Sequence, residues 1–289
     1  MLSRCVIGSL ALAAAASIMA DAHAQTADMS KYPDWRGAWA RVVVRGVTGQ
    51  PSFDQTKPWG FGQQAPLTPE YQARLVESLQ DQAEGGQGNW QTVNCFPVGM
   101  PGVMTLYRAM QLLIMPDTTY VIIPHAGNTV RRIFTDGRDW PKNVEPAFDG
   151  YSLGKWLDTD GDGRFDTLEV ETRHLRGPRA YDPSGMPFHD DNETVVTERI
   201  YLDNSNSNLM HNEMTVFDHA LTRPWSVHKK YERNPKDTQP VWYEDICPEG
   251  QAQMRVGKER YYLSADGYLM PVKKGQAPPD TRYFERAGK

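Results

Sequence analysis

From Ala109 to Val272 the chain is a succession of short apolar runs cut by turn residues, and this pattern constrains the fold more than any other feature. Ala109 to Met115 and Thr119 to Ile123 flank Pro116-Asp117, and Thr129 to Thr135 ends at Asp136-Gly137. Glu193 to Leu202 and Leu209 to Phe217 flank an Asn-Ser repeat, and Trp225 to Arg233, Val241 to Ile246, Arg260 to Leu263 and Tyr268 to Val272 follow. A strand hides one face, and strands this short can do so only against one another, so the spacing predicts a sandwich or barrel. Trp35 to Val44 reads as a further strand after a polar leader, Gln25 to Asp34, and Gly46 to Pro66 reads as a loop. One helix stands out: Thr68 caps it, Pro69 and Glu70 open it, Tyr71, Leu75 and Leu79 form its stripe, and Gly85-Gly86 ends it. With one N-terminal helix and sequential hairpins, the expectation is a mainly β fold: an antiparallel, lipocalin-like β-barrel of about ten strands with long loops and an apolar cavity.

The first 24 residues have the plan of a secretory signal peptide: Arg4, an apolar run from Val6 to Ala20, and Ala22-His23-Ala24 as a small-residue cleavage site. A single β-rich domain over residues 25–289, periplasmic or secreted, is therefore expected. Removal of the leader takes Cys5 with it, and the two remaining cysteines, Cys95 and Cys247, are expected to form a disulfide in an oxidising compartment. No second long apolar run predicts a membrane span. The net charge of −5 comes without a basic block, which argues against nucleic acid as a partner.

Asp158 to Glu169 read D-T-D-G-D-G-R-F-D-T-L-E and fit the calcium-loop pattern D-x-[DN]-x-[DN]-G-x5-E. Asp158, Asp160 and Asp162 supply carboxylates at positions one, three and five, Arg164 a backbone carbonyl at seven, Asp166 a carboxylate at nine and Glu169 one at twelve. The flanks are not helical. Two glycines interrupt Gly150 to Leu157, and Leu168, Val170 and Thr172 alternate as in a strand, which places the loop between two β-strands. Its expected cofactor is one calcium ion that pins a turn; without metal, the same residues are an acidic Asp-Gly turn.

From Cys95 onward several motifs recur in a familiar order: Cys-x-Pro-x-Gly-Met-Pro (Cys95 to Pro101), Val-Arg-Arg-Ile-Phe-Thr-Asp-Gly-Arg (Val130 to Arg138), Gly-Tyr-Ser-Leu-Gly-Lys-Trp (Gly150 to Trp156), Thr-Leu-Glu-Val-Glu-Thr (Thr167 to Thr172), Gly-x-Pro-x-His (Gly185 to His189), Glu198-Arg199 and Thr-Arg-Pro-Trp (Thr222 to Trp225). This order resembles a widespread group of secreted bacterial proteins. The resemblance covers about Leu67 to Cys247 and implies a β-rich exported domain, without an activity. In that group a short Glu-Gly-Asp turn stands where Leu157 to Asp166 stands here, so the calcium loop looks like an insertion, and the extension after Cys247 is longer here.

The histidines form no His-x-x-x-His, His-Glu-x-x-His or Cys-x-x-Cys arrangement, and a Gly-x-Gly-x-x-Gly dinucleotide fingerprint is missing. Val196, Glu198, Ile200 and Leu202 share one strand face, which points Glu198 inward. There it either acts as an acid or base with His189 or His125 at the rim, or pairs with Arg131, Arg132 or Arg173. Tyr120, Arg131 and Trp156 are the candidates to line a ligand cavity, and His211 looks solvated. Three readings follow: binding of a small apolar or aromatic molecule in the barrel; a cofactor-free lyase, isomerase or hydrolase using Glu198, His189 and His125; and a structural envelope protein.

Overall fold

The structure is a computed structural model, and it describes residues 28–47, 49–94, 96–105, 108–124, 129–233, 253–256, 259–264 and 268–279. In chain order the strands are β1 (Ala38–Arg41), β2 (Met110–Ile114), β3 (Thr118–Ile123), β4 (Thr129–Phe134), β5 (Tyr151–Leu157), β6 (Thr167–Arg173), β7 (Arg179–Ala180), β8 (Pro187–Phe188), β9 (Val195–Leu202), β10 (Leu209–Phe217), β11 (Trp225–Arg233), β12 (Gln253–Val256), β13 (Glu259–Leu263) and β14 (Leu269–Pro271). Nine of them close into a barrel in the order β1-β11-β10-β9-β6-β5-β4-β3-β2. β7 and β8 form a small hairpin, and β12-β13-β14 a separate three-stranded sheet. The mainly β barrel with one α-helix is as the sequence predicts.

One junction differs from the expected antiparallel plan: β4 and β5 run parallel, joined through Ile133↔Ser152 and Phe134↔Leu153. Residues 135–150 carry the chain back along the barrel before β5 begins, and parallel neighbours require such a crossover. The predicted Cys95–Cys247 disulfide, His125 and the strand expected at 241–246 fall outside the described residues.

The helix α1 (Pro69–Ala83) begins and ends where the sequence signals place it. The Thr68 hydroxyl accepts from the Tyr71 amide at 3.5 Å, and Tyr71, Leu75 and Ser78 form its buried face. Ser78 Oγ donates to the Ser184 carbonyl at 3.0 Å, which ties the helix to the turn between β7 and β8.

Alternation sorts most of the barrel side chains. In β4, Thr129, Arg131 and Ile133 are buried and Val130 and Arg132 exposed; in β9, Val196, Glu198 and Ile200 are buried. Trp39, Val121, Ile133, Leu168, Val196, Met210 and Met214 are all 0% exposed. A void large enough for water would leave accessible surface on its lining, so these side chains fill the interior. The apolar cavity expected there is replaced by packed core, because large Trp and Met side chains point into a barrel of only nine strands. Phe53, Tyr181 and Trp225 plug one end with ring centroids 4.8–5.5 Å apart. Tyr32, Trp35, Trp156 and Phe165 cap the other, where β5 passes to β6.

Candidate functional site

Glu198 points inward as its strand parity predicts, and its carboxylate is fully engaged. Oε1 accepts from Arg131 Nη1 at 3.1 Å and from Asn212 Nδ2 at 2.9 Å, while Oε2 pairs with Arg131 Nη2. Arg131 Nη2 also donates to Thr172 Oγ1 at 3.0 Å, and Ser152 and Thr172 hydroxyls bond at 2.8 Å. Of the three arginines weighed as partners, Arg131 is the one on the inner face; Arg132 and Arg173 point outward. A carboxylate held by a guanidinium in this way is suited to fixing strands rather than shuttling protons.

His189 is not beside it. Its amide donates to Asp218 Oδ1 at 3.0 Å in the loop that follows β10, and its ring lies against Tyr71 and His219. Tyr120, Arg131 and Trp156 do not converge either. Tyr120 sits on the outer face of β3, in register with Leu113 and Arg132, because Thr119, Val121 and Ile123 take the inner positions. Arg131 is interior, and Trp156 is packed beneath Trp35 at 4.9 Å.

A groove of about 500 Å³ opens at the end capped by those rings. Met29, Tyr32, Trp35 and the β2 residues Leu112, Leu113 and Ile114 line it, and Asp34, Arg36 and Arg164 edge it. Trp35 is anchored from below, where Trp39 Nε1 donates to its carbonyl at 2.9 Å. The indole N–H groups of Trp35 and Trp156 are buried, and neither has an acceptor among the described residues. A buried donor left unpaired costs free energy, so it favours an added acceptor.

The acidic loop adjoins this groove. One carboxylate oxygen from each of Asp158, Asp160 and Asp166 lies within 4.8 Å of the others. Asp158 accepts the amides of Gly161 at 2.7 Å, Asp162 at 3.1 Å and Gly163 at 2.9 Å, which winds the backbone around it. Gly161 and Gly163, at φ of 78° and 88°, permit that turn. Asp162 Oδ1 accepts the Arg164 amide at 2.7 Å. Glu169 stands apart from the converging group: it lies within β6 in register with Lys155 and Arg199, on the barrel's outer face. The loop is tied to the groove by the Phe165 amide, which donates to the Lys31 carbonyl at 2.7 Å, and by the Phe165 ring, 5.1 Å from Tyr32.

Two histidine clusters were not legible in the sequence. His211, expected to be solvated, is 7% exposed. Its Nδ1 is 2.8 Å from His228 Nε2, its Nε2 is 3.1 Å from Asp203 Oδ2, and Tyr201 stacks over it at 5.0 Å. Hydrogen bonds from Ser205 hold the Asp203 carboxyl down at about 2, and burial lowers His228. The second cluster joins His189, Asp191 and His219 from two loops at the opposite end of the barrel. No protein-family model matches the chain, and no curated protein or solved structure matches it.

Proposed function

We propose that this is an exported protein that binds a small apolar or aromatic molecule in the groove between residues 29–36 and β2. A calcium ion in the loop at residues 158–166 holds one wall of that groove. The observation that carries the reading is the apolar lining that Met29, Tyr32, Trp35 and Leu112 to Ile114 give the groove. Ligand sites are typically clefts of about 300–1,000 Å³ with mostly apolar walls and a few polar groups that fix orientation. The groove, at about 500 Å³, has this character, whereas the interior has no room. Calcium is supported by the loop motif and by the convergence of Asp158, Asp160 and Asp166. Binding is tested by titrating N-phenyl-1-naphthylamine into the calcium-supplemented protein and following dye emission and tryptophan quenching. Leu113 is 50% exposed, so Leu113→Asp leaves the core intact and is expected to weaken dye binding at least about tenfold, or 1.4 kcal/mol. Equal affinity in Leu113→Asp, or a linear response without saturation, would refute the groove as the site.

A further inference from the structure

His189, Asp191 and His219 bring two imidazoles and a carboxylate to one point, from segments that the chain separates by 28 residues between Asp191 and His219. Asp191 Oδ2 lies 2.9 Å from His189 Nδ1 and 2.5 Å from His219 Nδ1. The loops are held in place independently of this contact. Asp218 Oδ1 accepts the amides of both His189, at 3.0 Å, and Ala220, at 2.8 Å, so one carboxylate fixes the residue before and the residue after the pocket. Asn192 adopts a left-handed φ of 63°, and its side chain accepts the Gly177 amide at 2.7 Å, which sets the turn that presents Asp191. Asp191 Oδ1 is taken by the Glu193 amide at 3.0 Å, leaving Oδ2 to face the rings.

The proton arrangement is what makes the cluster informative. His189 Nδ1 accepts the Asp191 amide at 3.1 Å, so in this geometry it carries a lone pair and not a hydrogen. It therefore has no proton to offer Asp191 Oδ2, and two acceptors face each other at 2.9 Å. Arg74, the nearby guanidinium, is engaged by Asp190 at 3.1 Å and by Glu70 at 3.0 Å. A cation between the two imidazoles and the carboxylate removes the repulsion.

We infer that His189 Nδ1, Asp191 Oδ2 and His219 Nδ1 form a binding site for a divalent first-row transition metal, with Zn²⁺ the best match. Nitrogen ligands distinguish it from the all-oxygen loop at Asp158 and select against calcium and magnesium. Zinc bonds of about 2.0–2.2 Å place ligand atoms roughly 3.3–3.5 Å apart in a tetrahedron, so the two carboxylate–imidazole distances need to open by less than about 1 Å. Three protein ligands leave a coordination position for water, and Glu193 Oε2 lies 4.0 Å from His219 Nδ1. The His189 and Asp191 side chains are 32% and 25% exposed, which gives a metal ion entry from solvent.

The test uses the full chain without a polyhistidine tag, stripped with chelator and titrated calorimetrically with ZnCl₂. Because the His219 side chain is 65% exposed, His219→Ala retains the fold, which a thermal melt verifies; Asp191→Asn provides a second, nearly isosteric variant. Both are expected to weaken zinc binding at least about tenfold, the loss typical even of groups that only support a ligand. His228→Ala and Asp160→Ala, which alter the other histidine pair and the acidic loop, are expected to bind zinc like the parent. Co²⁺ gives a second readout: visible d–d absorption of a low-coordinate ion in the parent and its loss in His219→Ala. Parental zinc affinity in His219→Ala and Asp191→Asn would overturn the assignment, as would a loss that follows His228→Ala or Asp160→Ala instead, or the lack of any zinc heat below about 1 mM, weaker than a purposeful site.

Discussion

Arg131 and Glu198 meet inside the barrel from strands that are not neighbours: Arg131 leaves β4, reaches past Ser152 of β5 and Thr172 of β6, and closes on Glu198 of β9. Both side chains are at most 1% exposed. The pair thus spans the parallel β4/β5 junction, which, like the β1/β2 seam, has only two registered residue pairs. In β-barrels the hydrogen-bond ladder does most of the closing, and here a side chain reinforces it where the ladder is short.

Removing one partner of this pair strands the other charge in a packed interior. Glu198→Ala is expected to cost about 3–5 kcal/mol in urea unfolding, the range for breaking a buried ion pair. The double variant Arg131→Met/Glu198→Leu is expected to recover most of that loss, because apolar side chains of similar volume tolerate the site. A loss below about 1 kcal/mol for Glu198→Ala would contradict the closing role.

Lys229 gives the fold a distinctive pH response. It is buried beneath the Phe53 plug, donating to the Phe53 carbonyl and to Thr105 Oγ1 at 3.3 Å, and burial lowers its ammonium to about 7 from 10.5. Between these values the unfolded chain holds a proton that the folded chain has released. Stability therefore rises with pH across that window, with a slope approaching about 1.4 kcal/mol per pH unit, and the penalty is constant below it. Urea unfolding of the parent and of Lys229→Met, from about pH 7 to 9.5 and below the ordinary tyrosine range, is expected to show this rise only in the parent. Parallel curves for the two proteins would rule the effect out.

Much of the barrel was legible because period-two alternation and turn residues are local signals. They located β10 and β11 to the residue, placed α1 by its Thr68 cap and Pro69, and turned Glu198 inward. What remained hidden depends on distance along the chain. Nothing local says that Arg131 rather than Arg132 reaches Glu198 across two strands, or that β5 returns parallel to β4. β7 and β8 are too short for periodicity to register. His211 looked solvated because Glu213 and Thr215 share its strand face; it is buried all the same, since Tyr201 and His228 cover the outer face there. The groove was invisible for a simpler reason: residues that read as a polar leader supply Met29 and Tyr32, which become a wall only once β2 is beside them.

The acidic loop is joined to the groove wall by the Phe165 amide on the Lys31 carbonyl and by the Phe165 ring on Tyr32. Calcium that draws Asp158, Asp160 and Asp166 together fixes Arg164 and Phe165, and through them Tyr32 and the groove wall. Calcium that binds only the folded chain adds about 2.7 kcal/mol at a hundredfold excess over Kd, so Tm is expected to rise with calcium. Asp160→Ala is expected to remove most of the rise, whereas Glu169→Ala, remote from the converging carboxylates, retains it. Chelation is expected to weaken dye binding in the groove by the same linkage, and Asp160→Ala to abolish that dependence. Calorimetry on the chelator-stripped protein decides the matter: no heat at millimolar calcium means that the loop is an acidic turn, and a normal calcium response in Asp160→Ala means that the ion sits elsewhere.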